Sequence, residues 1–231
     1  MIEVKNLCFS YENKEILKDI SLTIKEGDFL AVIGHNGSGK TTLSKHLNGL
    51  LIPSKGDVAV DGMNTKKGDF SIRKNVGMVF QNPEDQLVYS AVEEDVAFGL
   101  ENFGVPQSEM KVRVQRILKV LGIFHLAHSN VNELSYGQKQ LVALAGVLVL
   151  EPKYLVLDEP TTNLDPKNKK NILSTVKKLH KKGLTIILIT NVLEDIRLAT
   201  NVAVLSQGKL LWQGEGNHVP EKILRRANLY G

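Results

Sequence analysis

Residues 29–42 read FLAVIGHNGSGKTT. FLAVI is a short apolar run of the kind that forms a buried strand. From Thr41 to Leu50, Leu43, Leu47 and Leu50 recur at helical spacing, so a helix follows. Between them lies Gly34–Thr42, which fits G-x-x-x-x-G-K-[ST] through Gly34, Gly39, Lys40 and Thr41. Strand, glycine-rich turn and helix in that order form a phosphate-binding loop. The glycines let the main chain wrap closely, so N–H groups point at phosphate oxygens. The helix adds its positive N-terminal end. His35, Asn36, Gly37, Ser38 and Thr42 belong to the same cradle, and the main chain of His35 matters more than its ring. Lys40 would reach the β- and γ-phosphates and Thr41 would ligate Mg²⁺. The spacing is not G-x-G-x-x-G, which disfavours a dinucleotide fold.

Working outward, IEVKNLCF (2–9) and ILKDISLTI (16–24) alternate apolar and polar residues as half-buried strands do. Gly27-Asp28 turns the chain into FLAVI. GDVAVDG (56–62) and VGMVF (76–80) are further strands. From residue 87 to 150 the pattern is helical, as in VEEDVAFGLENF (92–103) and EMKVRVQRILKVLGI (109–123). Strands return with YLVLDE (154–159), TIILIT (185–190) and NVAVLSQGKLLW (201–212). This order predicts an α/β fold with a mostly parallel sheet interrupted by a helical insertion. One domain is expected over 1–231, with the α/β core at 1–86 and 151–231 and a helical subdomain at 87–150. No internal repeat or low-complexity tract is visible.

Composition narrows the function. With 29 Lys and Arg against 25 Asp and Glu, the net charge of +4 is too mild to point to nucleic acid, and a basic patch on an anionic membrane surface is equally compatible. Cys8 is the one cysteine, which excludes an intramolecular disulfide and fits a small core residue in a reducing compartment. Glu3 and Lys5 interrupt the start, so no signal peptide is expected. The longest apolar run, LVALAGVLVL (141–150), is too short to cross a bilayer, which takes about 20 residues. In PKNKKNILSTVKKLHKKG (166–183), Ile172, Leu173, Val176 and Leu179 share one helical face, and the lysines read as its solvated side. His125 and His128 have no Cys/His cluster beside them and give no metal site.

The strand YLVLD ends in two carboxylates. Asp158 at the strand end suits Mg²⁺ binding, directly or through water. Glu159 suits polarising a water for attack on the γ-phosphate. An acidic strand end facing solvent is the plainer reading, but the phosphate loop supplies the other half of a site. Asn191 follows TIILIT at another strand's carboxyl end, where ligands meet α/β enzymes.

With these residues in place the sequence resembles the ATP-binding subunits of ABC transporters. LSYGQKQ (134–140) resembles the family's signature motif through Ser135, Gly137 and Gln138, Gln81 its glutamine loop, Asp165 in NLDP (163–166) its D-loop, and Tyr11 the aromatic that stacks on adenine. QNPEDQ (81–86) with EDVAFGLEN (94–102) is most similar to the ATPase subunits of energy-coupling factor importers of vitamins and transition-metal ions. The resemblance implies Mg²⁺-ATP as ligand, and hydrolysis by Glu159 and Gln81 with residue 191. Gln81 would sense Mg²⁺ or the attacking water. It also implies a head-to-tail pair with a second ATPase subunit, identical or not. Membrane partners would be a coupling subunit and a substrate-binding subunit, with the chain peripheral on the cytoplasmic face of the cell membrane. Gln86 and the apolar positions from Val88 to Phe98 are the candidate contacts for coupling helices, with Val92 and Val96 equally readable as core residues of the insertion. No nucleic-acid partner is implied.

Two positions depart from the pattern. Tyr136 stands where the signature usually has its first glycine. If Ser135 caps a helix, residue 136 is helical and needs no positive φ. Asn191 stands where the family usually has a histidine that touches the γ-phosphate. Asn191 leaves open a subunit that binds ATP with weak or no hydrolysis, and a separate alternative is an ABC-type ATPase that moves no solute.

Overall fold

The computed structural model describes residues 1–68 and 70–229. Alternation builds the first layer. Ile2–Tyr11 (β1) and Lys14–Ile24 (β2) pair antiparallel, and Ile2, Val4, Leu7, Leu17, Ile20 and Ile24 turn inward. The register shifts between Val4 and Leu7, where β1 gains a residue, which changes the sidedness of the strand. Cys8, expected in the core, is therefore only half-buried, and its Sγ accepts from the Asp19 N–H at 3.3 Å. Phe29–Ile33 (β3) is buried throughout and enters a second sheet.

After the loop, Lys40–Leu47 (α1) is shorter than the leucine spacing suggests. Gly49, at φ 71°, turns the chain out of the helix. Leu50 therefore lies beyond the helix and is exposed, not on its apolar face. Lys55–Val60 (β4) and Met63–Asn64 (β5) complete the four-stranded antiparallel sheet, in the order β2-β1-β4-β5.

Phe70–Asn75 (α2) leads into Val76–Val79 (β6), and three helices follow: Val92–Asn102 (α3), Gln107–Val120 (α4) and Tyr136–Leu148 (α5). The chain then returns to sheet with Tyr154–Asp158 (β7), crosses through Pro166–Lys181 (α6) to Thr185–Thr190 (β8), and continues with Asn201–Ser206 (β9), Lys209–Glu215 (β10) and Glu221–Arg226 (α7). The second sheet has the order β10-β9-β3-β8-β7-β6 and is parallel except for the β9–β10 hairpin.

β3 divides its side chains between two cores, as a strand with both faces covered must. Leu30 and Val32 pack with the antiparallel sheet and Leu43 and Leu47 of α1. Ala31 and Ile33 pack on the other side with residues of α3, α5, α6 and α7. On α3, Val92, Val96 and Leu100 repeat every fourth residue and are fully buried. Of the two readings open for Val92 and Val96, burial selects core residues of the insertion over partner contacts. Gln86 is also turned inward: its Oε1 accepts from Phe80 N–H at 3.1 Å, and its Nε2 donates to the Met78 carbonyl at 3.4 Å. Val88 and Tyr89 remain exposed.

Candidate active site at the carboxyl edge of the parallel sheet

Strand order assembles the site. Ile33 of β3 lies opposite Thr190 of β8, and Ile189 lies opposite Asp158 of β7. The residues that follow, Gly34, Asn191 and Glu159, therefore leave the sheet at one edge, the usual ligand edge of an open α/β sheet. Glu159 N–H donates to the Ile189 carbonyl at 3.0 Å and takes a positive φ of 45°. That turn costs a non-glycine residue energy, and it is held by the strand behind it.

The phosphate loop wraps from β3 into α1. Gly39 precedes the helix at φ 104°, and a Cβ there would lie 2.8 Å from Leu17 Cδ2, so both conformation and space require glycine. A cavity of about 420 Å³ opens here, lined by Asn36, Gly37, Gly39, Lys40, Thr41, Thr42, Gln81 and Glu159, with Lys14 and Ile16 on its β2 side. First-turn amides of α1 have no partner within the helix and suit an anion.

Lys40 is 4% exposed. Its Nζ donates to the Gly34 and His35 carbonyls at 2.8 and 3.2 Å and lies 3.7 Å from Glu159 Oε1. Burial pushes the ammonium below its ordinary value, and the charges of Glu159 and Asp158 oppose that shift. Thr41 Oγ1 donates to Asp158 Oδ1 at 3.2 Å. Burial raises the Asp158 carboxyl, with the Thr41 hydrogen bond acting against it. Glu159 Oε2 accepts from Gln81 Nε2 at 3.1 Å and from Thr162 Oγ1 at 3.3 Å. Asn191 is exposed, and its Nδ2 donates to Asn36 Oδ1 at 3.3 Å. It thus touches the phosphate loop through a side chain.

Thr41 and Asp158 offer hard oxygen donors side by side, with Gln81 and Glu159 on the same cavity. That set suits Mg²⁺, which takes one or two protein oxygens and completes its shell with water and phosphate. It does not form an all-protein cage: no cluster of three His, Cys, Asp or Glu exists among the described residues.

Behind Asn191 lies a buried group that the sequence did not announce. Asp195 is 1% exposed; its Oδ2 accepts from Thr161 and Thr190 hydroxyls at 3.0 and 3.3 Å, and its Oδ1 lies 3.0 Å from Lys169 Nζ on α6. The carboxylate ties β8, the turn after β7 and α6 together. Only a fold that already juxtaposes those segments reveals it. Lys169→Ala leaves the carboxylate buried with two hydroxyl donors. We expect a loss of about 1–3 kcal/mol in unfolding free energy by urea titration, since a buried charge loses its partner while Lys169 itself is partly exposed.

Other motif residues lie away from this cavity. Tyr11 is 46% exposed at the β1–β2 turn, edge-on to Phe9 with ring centroids 4.9 Å apart. Ser135 caps α5: its Oγ accepts from Gln138 N–H while Gln138 Oε1 accepts from Ser135 N–H at 2.8 Å, a reciprocal capping box. Tyr136 is accordingly the first helical residue. A Cβ on Gly137 would lie 2.8 Å from Asn168 Cγ, so glycine lets α6 approach. Asp165 caps α6 by accepting from Lys167 and Asn168 N–H at 2.9 and 3.1 Å. Those bonds, led by Asn168, hold its carboxyl below the usual range.

Residues 17–162 match the family model of the ABC transporter. The chain is 46% identical over 237 residues to the energy-coupling factor transporter ATP-binding protein EcfA1 of Clostridium novyi, covering 99% of this chain and 85% of that one. It is 46% identical over 215 residues to the cobalt import ATP-binding protein CbiO of Syntrophus aciditrophicus, covering 91% and 77%. Among solved structures it resembles cbiO1 from Clostridium perfringens, part of the ABC transporter complex cbiONQ, with a TM-score of 0.86 and 38% identity over 99% of this chain and 94% of that one. It also resembles the dimeric bacterial ABC transporter cassette MJ0796, with a TM-score of 0.84 and 29% identity over 95% and 100%. Agreement of this extent, on a fold whose phosphate loop meets two strand-end carboxylates, means that the chain belongs to the ABC transporter family, among its ATP-binding subunits.

Proposed function

We propose that this chain binds Mg²⁺-ATP on its phosphate loop, hydrolyses it, and so powers an importer of the energy-coupling factor type. The observation that carries the reading is the convergence of Lys40, Gln81 and Glu159 on one cavity beside the Thr41–Asp158 pair. Lys40 meets the β- and γ-phosphates. Mg²⁺, held through Thr41 and Asp158, would neutralise phosphate charge. Glu159 takes a proton from the attacking water as the water oxygen bonds to the γ-phosphorus and the bond to the leaving ADP oxygen breaks. Gln81 donates to Glu159 and orients it. Omission of Mg²⁺ with a chelator should abolish hydrolysis in a phosphate-release assay; undiminished hydrolysis in chelator would overturn the Thr41–Asp158 assignment.

The capped start of α5, with Ser135, Gly137 and Gln138, reads the ATP of a second ATPase subunit. Asp165 bonds Asn168, which abuts Gly137, and Tyr11 offers a ring to adenine. Helices α3–α5 act as the helical subdomain. No helix among the described residues is long and apolar enough to cross a membrane. Likeness to energy-coupling factor ATP-binding proteins supports membrane partners, a coupling subunit and a substrate-binding subunit, met at the cytoplasmic face. A groove of about 370 Å³, lined by Leu87, Val88, Tyr89 and Val131 together with the polar Glu84, Ser90, Asn132 and Lys139, is the candidate seat for the coupling helices. Co-purification with membrane proteins identified by mass spectrometry tests this, and loss of capture in Val88→Asp is the expected result.

Asn191 favours slow turnover. Its amide can hold a phosphate oxygen but cannot carry charge or exchange a proton near neutral pH, as histidine can. Asn191→His should raise steady-state turnover at least several-fold with ATP affinity little changed, since one transition-state donor is worth about 10²–10³ in rate in other enzymes. Unchanged turnover would show that residue 191 does not limit hydrolysis.

A further inference from the structure

Tyr136 makes a contact that a glycine at this position could not make. Its Oη donates to the main-chain carbonyl of Gln81 at 2.9 Å. One turn along α5, Lys139 Nζ pairs with Glu84 at 2.5 Å, so the first turns of the helix hold the 81–84 segment at two points. The Gln81 side chain points the other way, to Glu159 at 3.1 Å. A main-chain carbonyl cannot swing aside as a side chain can. Fixing it fixes the Gln81 Cα and, with it, the reach of the amide.

We propose that Tyr136 is a positioning residue: its phenol ties the start of α5 to Gln81 and so holds the Gln81 amide on Glu159. The proposal rests on the reading of Glu159 as the base that activates water. It has a consequence for a head-to-tail dimer. There, the start of α5 meets the ATP of one subunit while Gln81 acts at the ATP of its own. Tyr136 spans the two, so closure at one site bears on the geometry of Glu159 at the other through a contiguous chain of contacts.

Tyr136→Phe removes the phenol oxygen and keeps the ring. In the full chain, with its partner subunit where one is required, amide hydrogen exchange should quicken several-fold at residues 80–84 and stay unchanged in the rest of α5. Turnover should fall about 2–10-fold, the worth of one hydrogen bond, with KM for ATP little altered. In a Gln81→Ala background the same change should have no further effect on turnover, because no amide remains to be positioned. Unchanged exchange at 80–84, or an equal fold-loss in both backgrounds, would overturn the proposal. A wild-type chain that binds ATP and hydrolyses none fails the catalytic reading instead, and exchange at 80–84 then decides the tie alone.

Discussion

Glu159→Gln should cut ATP turnover by about 10²–10⁴-fold, the usual worth of a positioned general base, while ATP stays bound. The substitution is nearly isosteric. A glutamine carbonyl oxygen can still accept from Gln81 Nε2 and Thr162 Oγ1, which now lie 3.1 and 3.3 Å from Oε2. What is lost is the negative charge and the capacity to take a proton. The charge also matters to Lys40, whose ammonium burial depresses and Glu159 props up. Its removal leaves Lys40 freer to serve phosphate alone. ATP that is bound but not split should prolong the closed pair of subunits, because the contact it bridges persists. Single-turnover phosphate release and size-exclusion chromatography with Mg²⁺-ATP check both points. Near wild-type turnover would remove Glu159 from the chemistry. A persistent monomer with ATP would count against self-pairing and leave a second, different ATPase subunit as the partner.

Lys40→Ala should weaken ATP binding by about 10–100-fold in calorimetry, the loss expected when one or more charge-assisted hydrogen bonds go. Two effects add. The cationic donor to the phosphates disappears, and the loop loses the internal brace from Nζ to the Gly34 and His35 carbonyls. The second effect separates this change from a plain loss of charge. Lys40→Arg keeps the charge, yet its planar fork cannot repeat the compact ammonium's bonds to the Gly34 and His35 carbonyls, so it should not restore affinity. Equal ATP affinity for Lys40→Ala and wild type would refute the phosphate-loop assignment.

The sequence alone established a fold class and half of a site. The apolar runs 29–33, 154–158 and 185–190 are buried strands on both faces, and such runs are written locally. So is the turn at 34–39, because Gly39 needs a φ that other residues avoid. Ser135 with Gln138 three residues on is equally local, and a capping box resulted. Helix length was less legible, since Leu43, Leu47 and Leu50 keep their spacing past the point where Gly49 ends α1.

Contacts across distance came from the tertiary structure. The neighbour order β3-β8-β7 is what brings Asn191 to Asn36 and Glu159 beside Lys40. No periodicity encodes it, because a strand's apolar run does not name its neighbour. Spacing puts Val92 and Val96 on one face of α3, but which neighbour covers that face depends on how α3 docks on α5, and Val88, which precedes the helix, stays exposed. Asp195 with Lys169, and Tyr136 with Gln81, are pairs of ordinary residues far apart in the chain. Their partners are set by which loops the crossovers place together, and a hydrogen bond between side chains or across loops depends on ångström-scale placement that only the packed fold provides.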